Sequence, residues 1–267
     1  MDPGSENAHT SPLARLSNTE LPGLREPSGV GASHGGHGIS EILDVVSRLS
    51  VAGIPSCVVG VRALRYYGAA REWDLCVPDG RLEEARLAFL ESAKYTAAPP
   101  PPPVPKSLRH TFPCFRLEGI MFYFILVPSS DSFVDPTLPN TVERSRNGVP
   151  YASLAQFARS LLVQQLWADV ADLIDGMNLD TDWGFHDINL ETLQQESRMF
   201  AELRNGHLKS HGCEGALYPQ DMERIWRQLA SNEAKEQRIE PLKKGRYFTR
   251  WRSIKFPEDP RTKDRPV

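Results

Sequence analysis

The sequence has no apolar segment long enough to cross a membrane. A membrane-spanning helix needs about 20 consecutive apolar residues, and no run in this chain approaches that length. The first residues, MDPGSENAHTSPLARL, also lack the apolar core of a secretory signal. We therefore expect a chain that neither enters a membrane nor is secreted.

Cysteine is scarce and is never closely spaced. The four cysteines stand singly, without Cys-x-x-Cys spacing, at Cys57, Cys76, Cys114 and Cys213. The first three fall on predicted strands, where a free cysteine usually acts as a small buried hydrophobic group. This usage favours a reducing compartment, with the cytoplasm expected and the nucleus as the alternative.

A large net charge is also absent. The formal net charge is −3, and 40% of the residues are hydrophobic, which is ordinary for a soluble globular protein. The overall charge therefore gives no reason to expect nucleic acid or a membrane surface as a partner.

The C-terminal segment departs from this balance. Residues 238–267 contain ten basic and four acidic residues, so they carry +6 and the preceding 237 residues carry −9. Four aromatic residues lie among these bases, at Tyr247, Phe248, Trp251 and Phe256. Such a tail can bind nucleic acid by stacking and phosphate neutralisation, or it can wrap onto an acidic body with its aromatic groups buried. We favour wrapping and keep nucleic acid as the weaker alternative.

Hydrophobic periodicity divides the chain into four parts. Residues 1–37 carry no periodicity and predict a disordered tail, whereas residues 38–145 mix helical and strand patterns. Residues 146–235 are helical, and residues 236–267 form the basic-aromatic tail. The predicted fold class is α/β (α+β), a small mixed sheet flanked by helices and followed by a helical C-terminal region.

Several connections are also predicted from local signals. Five consecutive prolines between Ala97 and Lys106 predict an exposed polyproline loop. The strand Ile120–Val127 is apolar on both faces, which is typical of a covered central strand. We predict a helix over Leu190–Leu203, ended by Asn205-Gly206, and a last helix over Gln220–Ala234.

The most informative stretch runs from Ile54 to Val77. Its pattern predicts a short buried strand ending at Gly60, a helix over Val61–Tyr67, and a second strand over Glu72–Val77. Glu72 and Asp74 stand two residues apart, so their carboxylates project from one face of that strand. Like charges this close need a cation, a shared proton or open water. The arrangement therefore predicts a site for a divalent metal and phosphate.

These residues resemble the nucleotidyltransferase superfamily with the DNA polymerase β-like fold, in particular its minimal and antitoxin-like branches. The match consists of Val59-Gly60-Val61, a spacer of ten residues, and Glu72-Trp73-Asp74-Leu75. The later run YASLAQFARSLLVQQLWADVADLIDGMNL resembles the helix pair that follows the catalytic half in that family. Asp169 and Asp172 stand at its acidic positions, whereas Ser160 and Gln165 stand in place of basic residues.

The resemblance implies a catalytic and nucleotide-binding site. Glu72 and Asp74 would bind Mg²⁺ as catalytic and metal-ligating residues, with a nucleoside triphosphate as the partner. The backbone of Gly60 and Val61 would hold a phosphate. Three arginines could add bidentate phosphate contacts, namely Arg62, Arg65 and Arg71.

The chain departs from the family pattern at three places. Val61 replaces a small residue, Glu72 replaces an aspartate, and Ile120–Val127 lacks the third carboxylate that active relatives carry on a strand in this region. Glu118, just before that strand, or Asp131 or Asp135, which follow it, could supply that carboxylate from a loop. Two functions are therefore predicted: a Mg²⁺-dependent transferase of nucleoside monophosphate to an unidentified acceptor, or a catalytically degenerate binding or scaffold protein on the same fold.

Overall fold

The computed structural model describes residues 30–33, 38–67, 73–239 and 259–261. Arg71, Glu72 and most of the two predicted tails lie outside these ranges, so the predictions made for them concern residues that the structure does not describe. For Val61, Arg62 and Arg65 the structure describes the backbone only. No described helix combines the length and apolar character required to span a bilayer.

A seven-stranded mixed sheet forms the centre of the described part, in the order β4-β5-β7-β3-β2-β9-β8. A separate two-stranded ribbon pairs β1 with β6 in parallel. The strands are β1 (Val30–Gly31), β2 (Cys57–Val59), β3 (Trp73–Val77), β4 (Tyr95–Ala97), β5 (Cys114–Leu117), β6 (Ile120–Met121), β7 (Tyr123–Pro128), β8 (Val142–Arg144) and β9 (Pro150–Ala152).

Helices flank this sheet and make up most of the chain after it. They are α1 (Ile39–Val51), α2 (Gly60–Tyr66), α3 (Leu82–Leu90), α4 (Ser129–Ser132), α5 (Leu154–Val163), α6 (Trp167–Met177), α7 (Thr181–Trp183), α8 (Leu190–Ser210), α9 (Met222–Ala230) and α10 (Asn232–Ile239). A π-helical turn, Gly184–Ile188, joins α7 to α8. The predicted class, a mixed sheet flanked by helices and followed by a helical region, is confirmed.

Strand β3 occupies the middle of the sheet, and all five of its residues are buried. It pairs antiparallel with β2, so that Val59 faces Asp74, and parallel with β7, so that Asp74 faces Ile125. The interior of β7 is buried too, which confirms a covered central strand for the later part of the predicted strand Ile120–Val127. The first part is corrected: Ile120–Met121 is the separate strand β6, which is not buried and pairs with β1. The register therefore places Gly60, which follows Val59, beside the buried aspartate.

The predicted boundary between the sheet domain and the helical region falls inside a hairpin of the sheet. β8 pairs antiparallel with β9 across residue 145, and β9 pairs in parallel with β2 through Val58 and Tyr151. Pro150–Ala152 therefore belongs to the sheet, whereas the sequence pattern grouped it with the helices. Val30–Gly31, which the pattern grouped with the disordered tail, pairs with β6.

Helix α8 continues past the predicted end at Asn205-Gly206 and stops at Ser210, which corrects that prediction. A glycine inside a helix costs about 1 kcal/mol relative to alanine, but tertiary contacts outweigh it here. The amide of Asn205 exchanges two hydrogen bonds with the backbone of Leu217, at 2.8 and 2.7 Å. Leu208, in the last turn, is buried.

The predicted last helix over Gln220–Ala234 is two helices, α9 and α10. The break lies at Ser231, whose extended backbone (ψ 150°) ends α9. The Ser231 hydroxyl accepts a hydrogen bond from the Ala234 N–H at 3.1 Å and so caps the first turn of α10. Serine's preference for the capping position accounts for the division.

Two arginines of the predicted C-terminal tail contact the rest of the protein. Arg238 donates two hydrogen bonds to Asp175, at 2.8 and 2.7 Å. Arg261 lies 3.5 Å from the Glu143 carboxylate on β8. These contacts are of the kind that a wrapped tail makes, although most of residues 240–267 lies outside the described part, so wrapping stays a prediction.

Candidate active-site cleft

Gly60 and Asp74 are in direct contact where β2 ends and α2 begins. Gly60 has a φ of 63°, in the left-handed region, and a Cβ added to it would overlap the Asp74 carboxylate. Only glycine tolerates both the backbone conformation and the close approach. The glycine of the strand–turn–helix pattern is thus required by an acidic neighbour from the next strand.

The Asp74 carboxylate is held by Arg109. Arg109 donates to the two carboxylate oxygens through its two terminal nitrogens, at 2.5 and 2.7 Å. The Asp74 side chain is 5% exposed and the Arg109 side chain 31% exposed. Two-pronged hydrogen bonds between ionised groups are among the strongest that proteins form. The buried negative charge is therefore compensated by a protein cation.

A cleft of about 310 Å³ opens beside this pair. Its walls come from β2, β3, the end of β7, the segment 104–109, and helices α5, α6 and α8. Apolar residues such as Val59, Val127 and Leu161 alternate with polar ones in the lining. Six charged residues also line it: Asp74, Asp131, Asp169, Lys106, Arg109 and Arg204.

The proline-rich insertion supplies one wall of the cleft. Pro99, Pro100 and Pro103 are exposed, in agreement with the predicted polyproline loop. The insertion then turns back at Lys106, which has a left-handed φ of 62° and whose N–H donates to the Glu214 carbonyl at 2.9 Å. This anchor places residues 104–107 and Arg109 over the cleft, a role that the sequence did not predict.

A second acid–arginine pair lies in the same cleft. Asp131 stands in α4, just after β7, and forms an ion pair with Arg204 of α8. Both side chains are buried, at 8% and 7% exposure, and Arg204 also lies 5.5 Å above the Phe200 ring. Burial lowers the pKa of Arg204 to about 10, so its guanidinium remains charged at neutral pH.

The structure brings together two of the predicted site residues, Gly60 and Asp74. The backbone of Val61, Arg62 and Arg65 lies in α2, whereas Arg71 and Glu72 lie outside the described residues. The roles predicted for these seven residues in catalysis, metal binding and phosphate binding stay predictions.

The remaining residues of interest, in the loop after β7 and on the helix pair, differ in whether they line the cleft. Asp131 lines the cleft, whereas the Asp135 carboxylate accepts from the backbone and hydroxyl of Thr137 and so stabilises its own turn. Ser160 and Gln165, which stand in the family's basic positions, line the cleft with Asp169. Of the two aspartates that follow β7, Asp131 is therefore the one that lies close to the predicted site.

The described residues do not fit a magnesium ion. Mg²⁺ is held in proteins by carboxylate oxygens with near-octahedral geometry, but Asp74 and Asp131 are each engaged by an arginine. Ile125, paired with Asp74 in the adjacent strand, is apolar. Among the described residues, His, Cys, Asp and Glu side chains form no group of three that could hold a metal. A site that includes Glu72 stays a prediction.

No protein-family model matches this chain, and no curated protein matches it. Among solved structures, one that resembles it is the crystal structure of ANT(2")-Ia in complex with adenylyl-2"-tobramycin. The two share 11% sequence identity and a TM-score of 0.36, over 60% of this chain and 97% of the other.

Sequence reasoning missed the basic residues of the cleft, although one of them has a sequence signal. Arg204 falls on the buried stripe of α8, four residues after Phe200 and four before Leu208. A charged residue within an apolar stripe at helical spacing indicates a buried partner or a site. Arg109 has no comparable signal, because it follows an exposed loop.

Proposed function

We propose that this chain is a nucleotidyltransferase-like binding protein, which holds a nucleotide in the cleft beside Gly60 and Asp74 without transferring its nucleoside monophosphate. The α/β class with a mixed sheet is consistent with that fold. The contact between a turn glycine and a strand aspartate supports the predicted location of the site.

The observation that carries the proposal is the Arg109–Asp74 pair. A metal at this position would need oxygens of the Asp74 carboxylate, and both oxygens already accept hydrogen bonds from one guanidinium. Displacing Arg109 would break a bidentate, charge-assisted contact with a carboxylate that is 5% exposed. The arginine thus supplies the positive charge that a metal ion supplies in an active transferase.

The neighbouring strand supports the same conclusion. Ile125 is the residue that β7 pairs with Asp74, and paired residues on adjacent strands share a face of the sheet. The nearest acid after β7, Asp131, is neutralised by Arg204. The cleft therefore has acids of the expected type, but they are matched with arginines.

The lining of the cleft suits a nucleotide. Its volume of about 310 Å³ is at the lower end of the range typical of small-molecule sites. Apolar side chains, among them Val59 and Leu161, provide surface for a base or sugar. The cations of Lys106 and Arg109 provide partners for phosphate.

The test is calorimetric titration with each nucleoside triphosphate, in EDTA and in Mg²⁺, of the wild type and the isosteric variant Asp74→Asn. We expect saturable binding that is equal in EDTA and Mg²⁺. Asp74→Asn should tighten that binding several-fold, because it removes a negative charge that neutralises Arg109. Asp182→Asn, an exposed position on α7, is the matched control and should change nothing.

If the protein is instead a transferase, Asp74→Asn should weaken nucleotide binding. There, Asp74→Asn and Glu72→Gln would each abolish binding, which would depend on Mg²⁺ and be followed by release of pyrophosphate. That result would replace the proposal with catalysis. If no nucleoside triphosphate bound under either condition, the proposal would be wrong.

A further inference from the structure

Arg204 is a buried cation in the wall of the cleft with one donor left over. Its side chain is 7% exposed, it lines the cleft, and its Nε is buried without a hydrogen-bond partner. A buried donor without a partner is destabilising, and such donors are rare in native proteins. Arg204 therefore lines the cleft as a cation whose hydrogen bonds are incomplete.

We infer that Arg204 forms an oxyanion subsite, in which its guanidinium binds a phosphate group that enters the cleft. This inference deepens the proposed function and rests on it for the class of ligand. Its chemistry is separate, since it concerns Arg204 and Asp131 instead of Arg109 and Asp74.

Asp131 positions the guanidinium and leaves it able to bind. A guanidinium has five N–H donors in a fixed plane, and one carboxylate can accept from two of them. The ion pair with Asp131 and the Phe200 ring 5.5 Å away hold that plane in place. A donor held in this way loses little conformational entropy when it binds an anion.

The surrounding polar groups already have partners. The Ser160 hydroxyl donates to the Ser132 carbonyl, and the Gln164 amide nitrogen donates to the Ser160 hydroxyl at 2.9 Å. These hydrogen bonds fix the wall next to Arg204. An oxyanion that enters the cleft thus meets a guanidinium that is already held in position, and Lys106 lines the same cleft.

The experiment titrates the whole chain with inorganic phosphate, AMP and citrate in EDTA, by calorimetry. Binding of citrate would indicate a site for carboxylates in general instead of a phosphate site. The affinities for AMP and inorganic phosphate show whether a phosphate ester binds as free phosphate does. The key variant is Arg204→Lys, which keeps the charge beside Asp131 but removes the planar guanidinium and its fixed set of donors. Arg227→Lys is the matched control, because Arg227 lies on α9, outside the lining of the cleft.

We expect phosphate and AMP to bind the wild type and Arg227→Lys alike, and Arg204→Lys to weaken both at least tenfold. A double variant, Asp131→Asn with Arg204→Gln, removes both charges and leaves no unpaired ion. It should show the same loss, while thermal unfolding establishes that it is folded. Together the two variants separate loss of the donor from loss of structure.

Three results would overturn the inference: phosphate binding unchanged in Arg204→Lys, no binding of phosphate or AMP to the wild type, or binding of citrate alone. The outcomes also distinguish this inference from the proposed function. Nucleoside triphosphate binding indifferent to Arg204→Lys removes the subsite and keeps the proposed function. If phosphate binds through Arg204 but no nucleoside triphosphate binds, the subsite is kept and the proposed function is removed.

Discussion

Two aspartate–arginine pairs line one cleft, and they differ in how much water reaches them. The arginine of the first pair, Arg109, is 31% exposed, whereas Arg204 of the second is 7% exposed. The first arginine comes from the end of a surface insertion and the second from the longest helix. One cleft thus contains one pair whose arginine is partly exposed and one pair whose two side chains are both buried.

The comparison shows that two ion pairs of the same chemistry contribute differently to stability when they are buried to different extents. A partly exposed cation that loses its carboxylate is solvated by water, so that loss costs the protein little. A buried pair that loses one member keeps an uncompensated charge, which is strongly destabilising. We therefore expect the Asp131–Arg204 pair to dominate stability and the Asp74–Arg109 pair to dominate the response to cations.

The largest effect should come from Asp131→Ala. It leaves the Arg204 guanidinium buried without its carboxylate, and breaking a buried pair in this way costs about 3–5 kcal/mol. Urea denaturation, followed by circular dichroism, measures the loss. Asp182→Ala, at an exposed site, is the control, and a loss below about 1 kcal/mol for Asp131→Ala would mean that the pair is solvated.

Gly60→Ala should come next, at about 2–3 kcal/mol. The substitution combines a left-handed φ of 63° with overlap of the new Cβ and the Asp74 carboxylate. It displaces Asp74 from Arg109 and leaves Asp131–Arg204 intact, so it isolates the first pair. Gly80→Ala is the control, because a Cβ there meets nothing within 4 Å. Equal unfolding free energies for the two variants would contradict this account.

Arg109→Ala should destabilise by about 1–2 kcal/mol, since it removes the hydrogen bonds to a buried carboxylate. The variant also removes a guanidinium that neutralises the Asp74 carboxylate. We therefore expect Mg²⁺ to raise its melting temperature more than it raises that of the wild type. Arg86→Ala, which removes an exposed pair with Glu83, serves as control. The same response to Mg²⁺ in all three proteins would show that Arg109 does not occupy a cation position.

The smallest effect should come from Asp44→Asn, outside the cleft. Burial raises the pKa of Asp44, but hydrogen bonds from Tyr95 and Lys94 outweigh burial and lower it below the ordinary 3.8. The stabilisation is therefore fully present above the ordinary 3.8 and is lost as the pH falls below it and through the lowered pKa of the folded state. We expect Asp44→Asn to cost about 0.5 kcal/mol at pH 7 and progressively less on acidification below 3.8, measured by urea denaturation as a function of pH. A cost that grew on acidification would contradict the sign of the shift.

The parts of the fold that follow from local patterns could be predicted. The apolar run Ile120–Val127 predicted the covered strand β7, although its first two residues form the separate strand β6. The strand, glycine and helix around Gly60 predicted the turn that contacts Asp74. Each of these depends on residues within a few positions of one another.

The rest depends on contacts between distant segments, which no window of sequence contains. Arg109 reaches Asp74 across 35 residues, because an insertion of prolines turns back at Lys106. Pro150–Ala152 becomes a strand through its pairing with β2 and β8, although its pattern is too short to indicate one. The helix through Gly206 persists because of packing that outweighs glycine's preference.

The parallel pairing of β3 with β7 also has a consequence for synthesis of the chain. A parallel pair cannot close as a hairpin and must wait for the intervening segments, and Arg204 leaves the ribosome well after Asp131. Until α8 arrives, the nascent chain carries a carboxylate that lacks its permanent counter-ion. The cleft is thus among the last regions to mature, and shortened chains that end before α8 would be natural substrates for chaperones and proteases.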